Sequence, residues 1–236
     1  MCFECLVNKV PGGKRQGLLH PIKPVRRPFA IIHMDHLGPF VTSSKRNKEL
    51  LVVIDNLTRF VQLYPLKDTS AKNVVKTLVS FVEAFGLPER IISDRGPCFT
   101  SNELEKYCAE NGIAHTLNST AHPQGNGMVE RANRTIISAI VTSMESKEHK
   151  DWDAKLKEIE RSLNNTINKT IGRTPFEILH GYVPRFKDGI LRVLADEEAD
   201  SWNEPVELQN DAREKIAKGQ EKMKQYFDKK KSSIVT

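Results

Sequence analysis

Three acidic residues stand where a metal-dependent phosphoryl-transfer enzyme needs carboxylates. Asp35 follows the apolar run FAIIHM, Asp94 follows RIIS, and Glu130 lies near the start of the helical segment GMVERANRTIISAIVTSM, with 35 residues between Asp94 and Glu130. Two strand ends and one helix can direct three carboxylates to one point. Anionic oxygen ligands suit Mg²⁺, and two such ions about 4 Å apart clamp the attacking and leaving oxygens of an in-line displacement. The placement predicts a site for two Mg²⁺ or Mn²⁺ ions.

Each acid taken singly also fits an ordinary structural role. Asp94 precedes an Arg-Gly pair and could be a turn aspartate. Glu130 stands beside Arg131 and could be an exposed helix charge. Asp55 is a fourth acid at a predicted strand end, but the following NLT favours a turn held by the Asp55 side chain. Only the joint placement of Asp35, Asp94 and Glu130 favours a catalytic site.

The elements that must position these acids follow a regular order. Three predicted strands, 29–35, 49–55 and 60–66, are joined by short turns and predict an antiparallel meander. A helix capped by Ser70 and stopped by Gly86 follows, then a short strand at 90–93, a helix capped by Thr100 and Glu103, and a strand at 114–117. Strands separated by helices imply parallel crossovers. The order predicts an α/β protein, a mixed five-stranded sheet flanked by helices.

The segment before and within the helix of Glu130 predicts DNA contacts. The loop NSTAHPQGNG is poor in bulky side chains, so its backbone can approach a phosphate closely. In the helix, Glu130, Asn133 and Arg134 fall at i, i+3 and i+4, which predicts a shared exposed face beside a buried stripe. DNA contacts are assigned to Gln124, Gly125, Asn126, Arg131, Asn133 and Arg134.

Composition narrows the class of protein. The chain has 236 residues, 39% hydrophobic, a net charge of +6 and a pI near 9.1. It contains no apolar run of membrane-spanning length and no secretion signal pattern, so we expect an intracellular protein with no membrane partner. The positive charge mildly favours a nucleic acid partner. Cys98 and Cys108 stand singly among apolar residues, as expected of reduced thiols.

The two ends of the chain differ from its centre. Cys2 and Cys5 form a C-x-x-C that supplies half of a four-ligand zinc site, so zinc is expected only if the other half is supplied elsewhere. A basic connector rich in Pro and Gly follows, to about residue 28. Residues 205–231 predict a charged helix, either a solvated linker or a DNA-tracking or oligomer-bridging element. We predict a zinc-domain remnant with linker at 1–28, a core at 29–185 and a helical extension at 186–236.

Several motifs resemble the catalytic core of retroviral-type integrases. The resemblance rests on HMDHLGPF, VVIDNLTRF, IISDRGPCFTS and HPQGNGMVERANRTI, and it is strongest to integrases of gypsy-type long-terminal-repeat retrotransposons. TPFEILHGYVPR is similar to the segment after the core in that family, and CFECLVNK to the end of its His-His-Cys-Cys zinc domain. The resemblance implies a ribonuclease H-like fold and a D, D-35-E triad, matched by Asp35, Asp94 and Glu130.

The resemblance also implies a reaction and its partners. Integrases of this family trim a DNA 3′ end and then join the freed 3′-hydroxyl to target DNA, without a covalent protein intermediate. Asp35 would bridge both ions, and Asp94 and Glu130 would each complete one. Expected partners are element-end DNA, target DNA and further copies of the chain on DNA, in the nucleus. The zinc motif lacks its histidine pair, and the chain stops at KKKSSIVT, before the family's C-terminal DNA-binding domain.

Other functions stay open at the level of sequence. A ribonuclease H-type nuclease would share the fold but would cut an RNA–DNA hybrid without joining strands. A cut-and-paste transposase would also excise, although the 35-residue spacing and TPFEILHG argue against it. A catalytically silent, integrase-derived DNA-binding or scaffold protein would fit the shortened flanks.

Overall fold

The computed structural model describes residues 25–118, 127–144, 150–185 and 202–232. Five strands, six α-helices and a short 3₁₀ helix at Trp152–Ala154 make up this part of the chain. The strands are β1 (Ile31–Leu37), β2 (Glu49–Asp55), β3 (Val61–Leu66), β4 (Arg90–Ser93) and β5 (Ala114–Leu117). The helices are α1 (Ala71–Phe85), α2 (Asn102–Glu110), α3 (Gly127–Ser143), α4 (Leu156–Asn164), α5 (Pro175–His180) and α6 (Pro205–Ser232).

The strands form one mixed sheet in the order β3-β2-β1-β4-β5. β1, β2 and β3 pair antiparallel, whereas β4 is parallel to β1 and β5 is parallel to β4. The predicted meander, the parallel crossovers and the five-stranded α/β architecture are therefore confirmed. Residues 1–24, and with them Cys2, Cys5 and most of the predicted irregular N-terminal segment, lie outside the described residues.

Local details differ from the predictions by one or two residues. β1 continues two residues past Asp35, because His36 and Leu37 still pair with β2. Ser70 is the N-cap residue of α1, but its side chain makes no capping hydrogen bond. The cap of α2 is Ser101 rather than Thr100, since the Ser101 hydroxyl accepts from the Leu104 backbone N–H. These shifts leave the order of elements unchanged.

The two faces of the sheet bury different helices. On one face, α1 and α2 cover an apolar layer that includes Ile32, Met34 and Phe81. On the other face, α3 and α4 cover β2 and β3, with Ile136 and Ile140 of α3 fully buried. Successive side chains of a strand point to opposite faces. Each face therefore needs its own helical layer, and the helix of Glu130 belongs to the second.

The exposed edge of β3 is closed by side chains of α4. Asn164 accepts a hydrogen bond from the Val61 backbone N–H and donates one to the Val61 carbonyl, each 2.8 Å long. Glu160 accepts from the Leu63 backbone N–H at 2.8 Å. Unpaired edge strands recruit other strands. Here the helix takes the place of a sixth strand.

The last helix, α6, is less solvated than its charge suggested. Leu208, Ala212 and Ile216 are buried against Leu57, Ile171 and Ile178. The expectation of a solvated linker helix is therefore wrong for the first half of α6. The predicted boundaries at residues 28 and 185 stay predictions. No helix in the described ranges has the length and apolar character needed to cross a bilayer.

Candidate active site

Adjacent parallel strands bring Asp35 and Asp94 to one edge of the sheet. Met34 pairs with Ser93, so the next residues, Asp35 and Asp94, stand side by side where β4 ends. Asp35 also lies opposite Val52, whose side chain belongs to the layer under α3. Since directly opposed residues share a face, the Asp35 carboxylate points towards α3.

Helix α3 carries Glu130 to the same edge. Asn133 is 8% exposed, and its Nδ2 donates to Asp35 Oδ2 at 2.6 Å. Glu130 lies one turn earlier on the same side of the helix, because residues three apart are neighbours on a helix surface. The Asn133–Asp35 hydrogen bond therefore places the exposed Glu130 side chain beside Asp35.

Asp94 and Glu130 both affect the pKa of Asp35. Burial raises the pKa of the Asp35 carboxyl, and the charges of Asp94 and Glu130 raise it further. Hydrogen bonds from Asn133 and from the His36 backbone N–H, the latter 2.9 Å long, lower the pKa in the opposite direction. Asp94 and Glu130 thus place negative charge close to the half-buried Asp35 carboxyl. A bound cation would relieve the repulsion among these three groups.

The position of Asp94 is fixed by its neighbours in the chain. Asp94 Oδ1 accepts from the Gly96 backbone N–H at 3.0 Å, and a Cβ added at Gly96 would lie 3.1 Å from the same oxygen. On the preceding residue, the buried Ser93 hydroxyl donates to the Asp94 carbonyl at 3.0 Å and lies 2.8 Å from His115 Nε2. The strand end is therefore held on both sides of Asp94.

The carboxylates of Asp35, Asp94 and Glu130 are not arranged around one metal position in the described residues. Within the described residues, no group of three or more His, Cys, Asp or Glu side chains is arranged to hold a metal ion. The structure brings Asp35, Asp94 and Glu130 into electrostatic contact at one edge of the sheet. Their assignment as catalytic metal ligands stays a prediction.

Asp55 stands apart from the site, as the turn interpretation predicted. Its carboxylate accepts from the Phe29 backbone N–H at 2.8 Å and from the Thr58 backbone and hydroxyl at 2.8 and 2.7 Å. Asp55 pairs with Ile32, three residues back along β1 from Asp35, and it belongs to the opposite face of the sheet from Val52. It is a structural acid that ties the start of β1 to the β2–β3 turn.

The residues assigned to DNA binding have different outcomes. Arg131 and Arg134 are exposed on α3 beside Glu130, where the prediction put them. The predicted exposed position of Asn133 is wrong, because its amide is buried and bonded to Asp35. Gln124, Gly125 and Asn126 lie outside the described residues, as do the zinc candidates Cys2 and Cys5.

Two residues have roles in the site that the sequence interpretation missed. Asn133 donates to the Asp35 carboxylate instead of facing solvent, and its place four residues after Val129 and three before Ile136, on the buried stripe, was the available signal. The His36 ring packs against Phe99 with centroids 5.3 Å apart, and burial lowers the pKa of His36. Its position next to Asp35 in the sequence was the available signal.

Comparisons with known proteins agree with this geometry. Residues 25–123 match the family model of the integrase core domain. The Tf2-3 and Tf2-4 transposon polyproteins of Schizosaccharomyces pombe are each 29% identical over 235 residues, which is 99% of this chain and 18% of theirs. The chain thus spans less than a fifth of the length of these relatives.

Solved structures share the fold at low sequence identity. The catalytic core domain of HTLV-2 integrase in complex with magnesium superposes with a TM-score of 0.53 at 21% identity, covering 68% of this chain and 100% of that one. The simian T-cell lymphotropic virus intasome in complex with the PP2A regulatory subunit B56 gamma gives 0.59 at 19% identity, covering 80% and 66%. The predicted resemblance is therefore confirmed. Residues 25–123 match the integrase core domain, and the described part of the chain shares the fold of retroviral integrase catalytic cores.

Proposed function

We propose that this chain is a polynucleotidyl transferase core that trims a DNA 3′ end and joins it to target DNA, with Asp35, Asp94 and Glu130 as its catalytic residues. The single observation that carries the proposal is the Asp35 carboxylate, which is hydrogen-bonded to Asn133 of α3 and whose pKa is raised by burial and by the charges of Asp94 and Glu130. Carboxylates gathered at one edge of the sheet repel one another, and a bound cation would offset that repulsion.

The donor set fits a divalent metal ion. Carboxylate oxygens are the ligands that Mg²⁺ and Mn²⁺ prefer, and the related HTLV-2 core was solved in complex with magnesium. Asp35, Asp94 and Glu130 would hold the ions. When bound, two such ions supply Lewis-acid stabilisation of the attacking and leaving oxygens in an in-line displacement.

The remaining tasks fall to side chains of the protein. Asn133 fixes the orientation of the Asp35 carboxylate through the 2.6 Å hydrogen bond. Arg131 and Arg134 are exposed within two residues of Asn133 on α3 and would hold the phosphates that flank the reacting bond. Ser93, next to Asp94, is buried and hydrogen-bonded, so it is not available as a nucleophile. Water in trimming and a DNA 3′-hydroxyl in joining are the attacking groups.

The proposal extends to partners. One structural relative is an intasome, and another core was solved in trimeric and dimeric forms. We propose that this chain acts as an oligomer on element-end and target DNA, in the nucleus. Sequence readout by the core is expected to be weak, since phosphate contacts position a protein without specifying a sequence.

The test is a metal-dependent strand-transfer assay on oligonucleotides with Mg²⁺ or Mn²⁺. The reverse reaction, in which joined strands are separated again, is measured as well, because it depends less on the regions that flank the core. Glu130→Gln keeps the size of the side chain and removes its charge, so it should abolish cleavage and joining while the protein stays folded. Glu103→Gln is the matched control, because Glu103 is also an exposed first-turn glutamate, on α2. Full activity of Glu130→Gln would refute the triad.

The same assay separates the alternatives. Cleavage of an RNA–DNA hybrid without any joining would identify a ribonuclease H-type nuclease. DNA binding without metal-dependent cleavage in the wild-type protein would identify a silent, integrase-derived binding or scaffold protein. Neither outcome would change the fold assignment.

A further inference from the structure

The turn between β1 and β2 presents two consecutive basic side chains at the catalytic edge. β1 and β4 are parallel and end at the edge that carries Asp35 and Asp94, and the chain leaves β1 there. Lys45 and Arg46 at the tip of the turn are both exposed. No carboxylate of the described ranges forms an ion pair with Lys45 or Arg46. We call residues 43–48 the basic turn.

The basic turn is fastened by a buried carboxylate. Asp153 of the 3₁₀ helix accepts two hydrogen bonds on Oδ2, from the Ser43 hydroxyl and from Asn47 Nδ2, each 2.7 Å long. The Ser43 oxygen in turn accepts from the backbone N–H groups of Lys45 and Asn47, at 3.2 and 3.1 Å. Ser43 is 4% exposed and Asp153 is 9% exposed. The base of the turn is therefore part of the protein interior.

Further contacts hold the turn and the segment that leads into it. Trp152, 1% exposed, donates from Nε1 to the Val41 carbonyl at 2.8 Å, and its ring lies 4.7 Å from that of Phe40. The Ser44 backbone N–H donates to the Lys150 carbonyl at 3.0 Å. A surface hairpin turn is ordinarily among the more mobile parts of a protein. This connection is attached to the rest of the protein at five positions between Phe40 and Asn47.

Holding the turn in this shape costs free energy. Arg46 has a φ of 67°, a left-handed conformation that is unfavourable for a residue with a side chain. Burying Asp153 adds a desolvation cost, which its hydrogen bonds offset. Neither cost is needed to close a hairpin. Strain and buried polar groups that are kept at an exposed turn indicate that the shape of its tip matters for binding.

We propose that the basic turn is a contact site for the phosphate backbone of duplex DNA bound at the acids, a proposal that rests on the proposed function. Lys45 and Arg46 would each bind a phosphate, and the fastening by Asp153 orders them before DNA arrives. Eleven steps along the chain lead from Asp35 to Arg46, a reach of at most about 40 Å. At about 3.4 Å per base pair, the contacted phosphates lie within about twelve base pairs of the reacting one.

The size of the effect follows from counterion release. On duplex DNA, the logarithm of the binding constant K falls with the logarithm of the salt concentration, and each phosphate contact makes this slope steeper by about 0.9. Relative to 1 M salt, where this contribution vanishes, one contact is worth about 8-fold at 0.1 M and two are worth about 60-fold. Removing both charges of the basic turn should weaken binding by about that factor and reduce the slope by about 1.8.

The experiment compares matched charge removals in the full 236-residue chain. Fluorescence anisotropy with a labelled 30-base-pair duplex of arbitrary sequence is measured from 50 to 200 mM KCl, with EDTA present so that no cleavage occurs. The test variant is Lys45→Gln/Arg46→Gln, and Arg46→Gly tests one charge alone with a residue that suits the left-handed backbone. The control is Lys72→Gln/Lys76→Gln, which removes two exposed charges from α1 on the other face of the sheet.

The proposal expects the test variant to lose affinity and slope, Arg46→Gly to lose about half as much slope, and the control to bind like the wild type. Equal losses in test and control would overturn it, because net charge alone would then explain binding. Wild-type affinity in the test variant would also overturn it. Full strand-transfer activity of Glu130→Gln would refute the proposed function. DNA binding in EDTA does not require the catalytic acids, so the comparison of the binding variants can be interpreted independently of that result.

Discussion

Replacing Asn133 by aspartate tests whether Asn133 holds the Asp35 carboxylate. Asn133 Nδ2 donates to Asp35 Oδ2 at 2.6 Å, a hydrogen bond to a charged group that is worth about 1.5–3 kcal/mol. Asn133→Asp keeps the shape of the side chain but puts a second carboxylate at that distance. Two carboxylates so close cannot both ionise readily, so the pKa of the pair rises above its value in the unfolded chain.

The sign of the pH dependence follows from this rise. A group whose pKa is raised on folding contributes stability below its unfolded pKa and loses that contribution as pH rises through its folded pKa. The variant should therefore be closest to the wild type at low pH and fall further behind as pH increases. Above the folded pKa it loses at least the hydrogen bond, about 1.5–3 kcal/mol. For a chain of this size, that is a fall in Tm of about 3–12 °C.

The assay is thermal unfolding followed by circular dichroism at pH 5, 6, 7 and 8 with EDTA. Ser138→Asp is the control, because it adds the same charge to an exposed position of the same helix. Asn133→Ala should cost about 1 kcal/mol, since loss of the bond is partly offset by removal of Asn133 Oδ1, which is buried without a partner in the described residues. Identical pH profiles for Asn133→Asp and Ser138→Asp would refute the contact.

Three further predictions concern the site and its support. Gly96→Ala places a Cβ 3.1 Å from Asp94 Oδ1 and should shift that carboxylate by a few tenths of an ångström. The rate of strand transfer should fall about 10-fold while Tm changes little. An unchanged rate would contradict this prediction. Burial lowers the pKa of His33 to about 3. The neutral imidazole therefore contributes its full stability above the unfolded pKa of about 6.5, and this contribution is lost as pH falls. In urea unfolding, the free energy of unfolding at pH 5 should be lower by about 2 kcal/mol than above that pKa, and His33→Gln should not show this loss. Asn164→Ala leaves the buried Val61 N–H and carbonyl unpaired and should cost about 2–4 kcal/mol in the same urea experiment; a cost below about 1 kcal/mol would show that water replaces the side chain.

The order of the elements could be predicted because it depends on local patterns. Alternating apolar runs predicted all five strands to within two residues, and Gly86 ended α1 where expected. Asp35 and Asp94 could be placed together for the same reason, since their strands run parallel and end at one edge. The Asp55 turn was visible in its own four residues, because Thr58 supplies the bonds.

What could not be predicted depends on contacts between distant segments. Asn133 falls at the spacing of the buried stripe of α3, but the partner that makes burial of its amide favourable, Asp35, lies 98 positions earlier. Glu160 and Asn164 read as ordinary helix polar residues until β3 lies against them. The apolar residues of α6 are thinly spaced, so their burial depends on the surface that Ile171 and Ile178 provide.

The placement of Glu130 follows from hydrophobic packing at the other end of its helix. Ile136 and Ile140 of α3 are fully buried over β2, whereas Asn133, nearer the start of the helix, is bonded to Asp35 of β1. One helix thus joins the apolar layer to the acids on the same face of the sheet. The apolar contacts fix its axis, and the Asn133–Asp35 bond fixes its rotation, so Glu130 is held beside two acids that repel it. The stability of the fold, and not attraction between the site residues, brings the three carboxylates together.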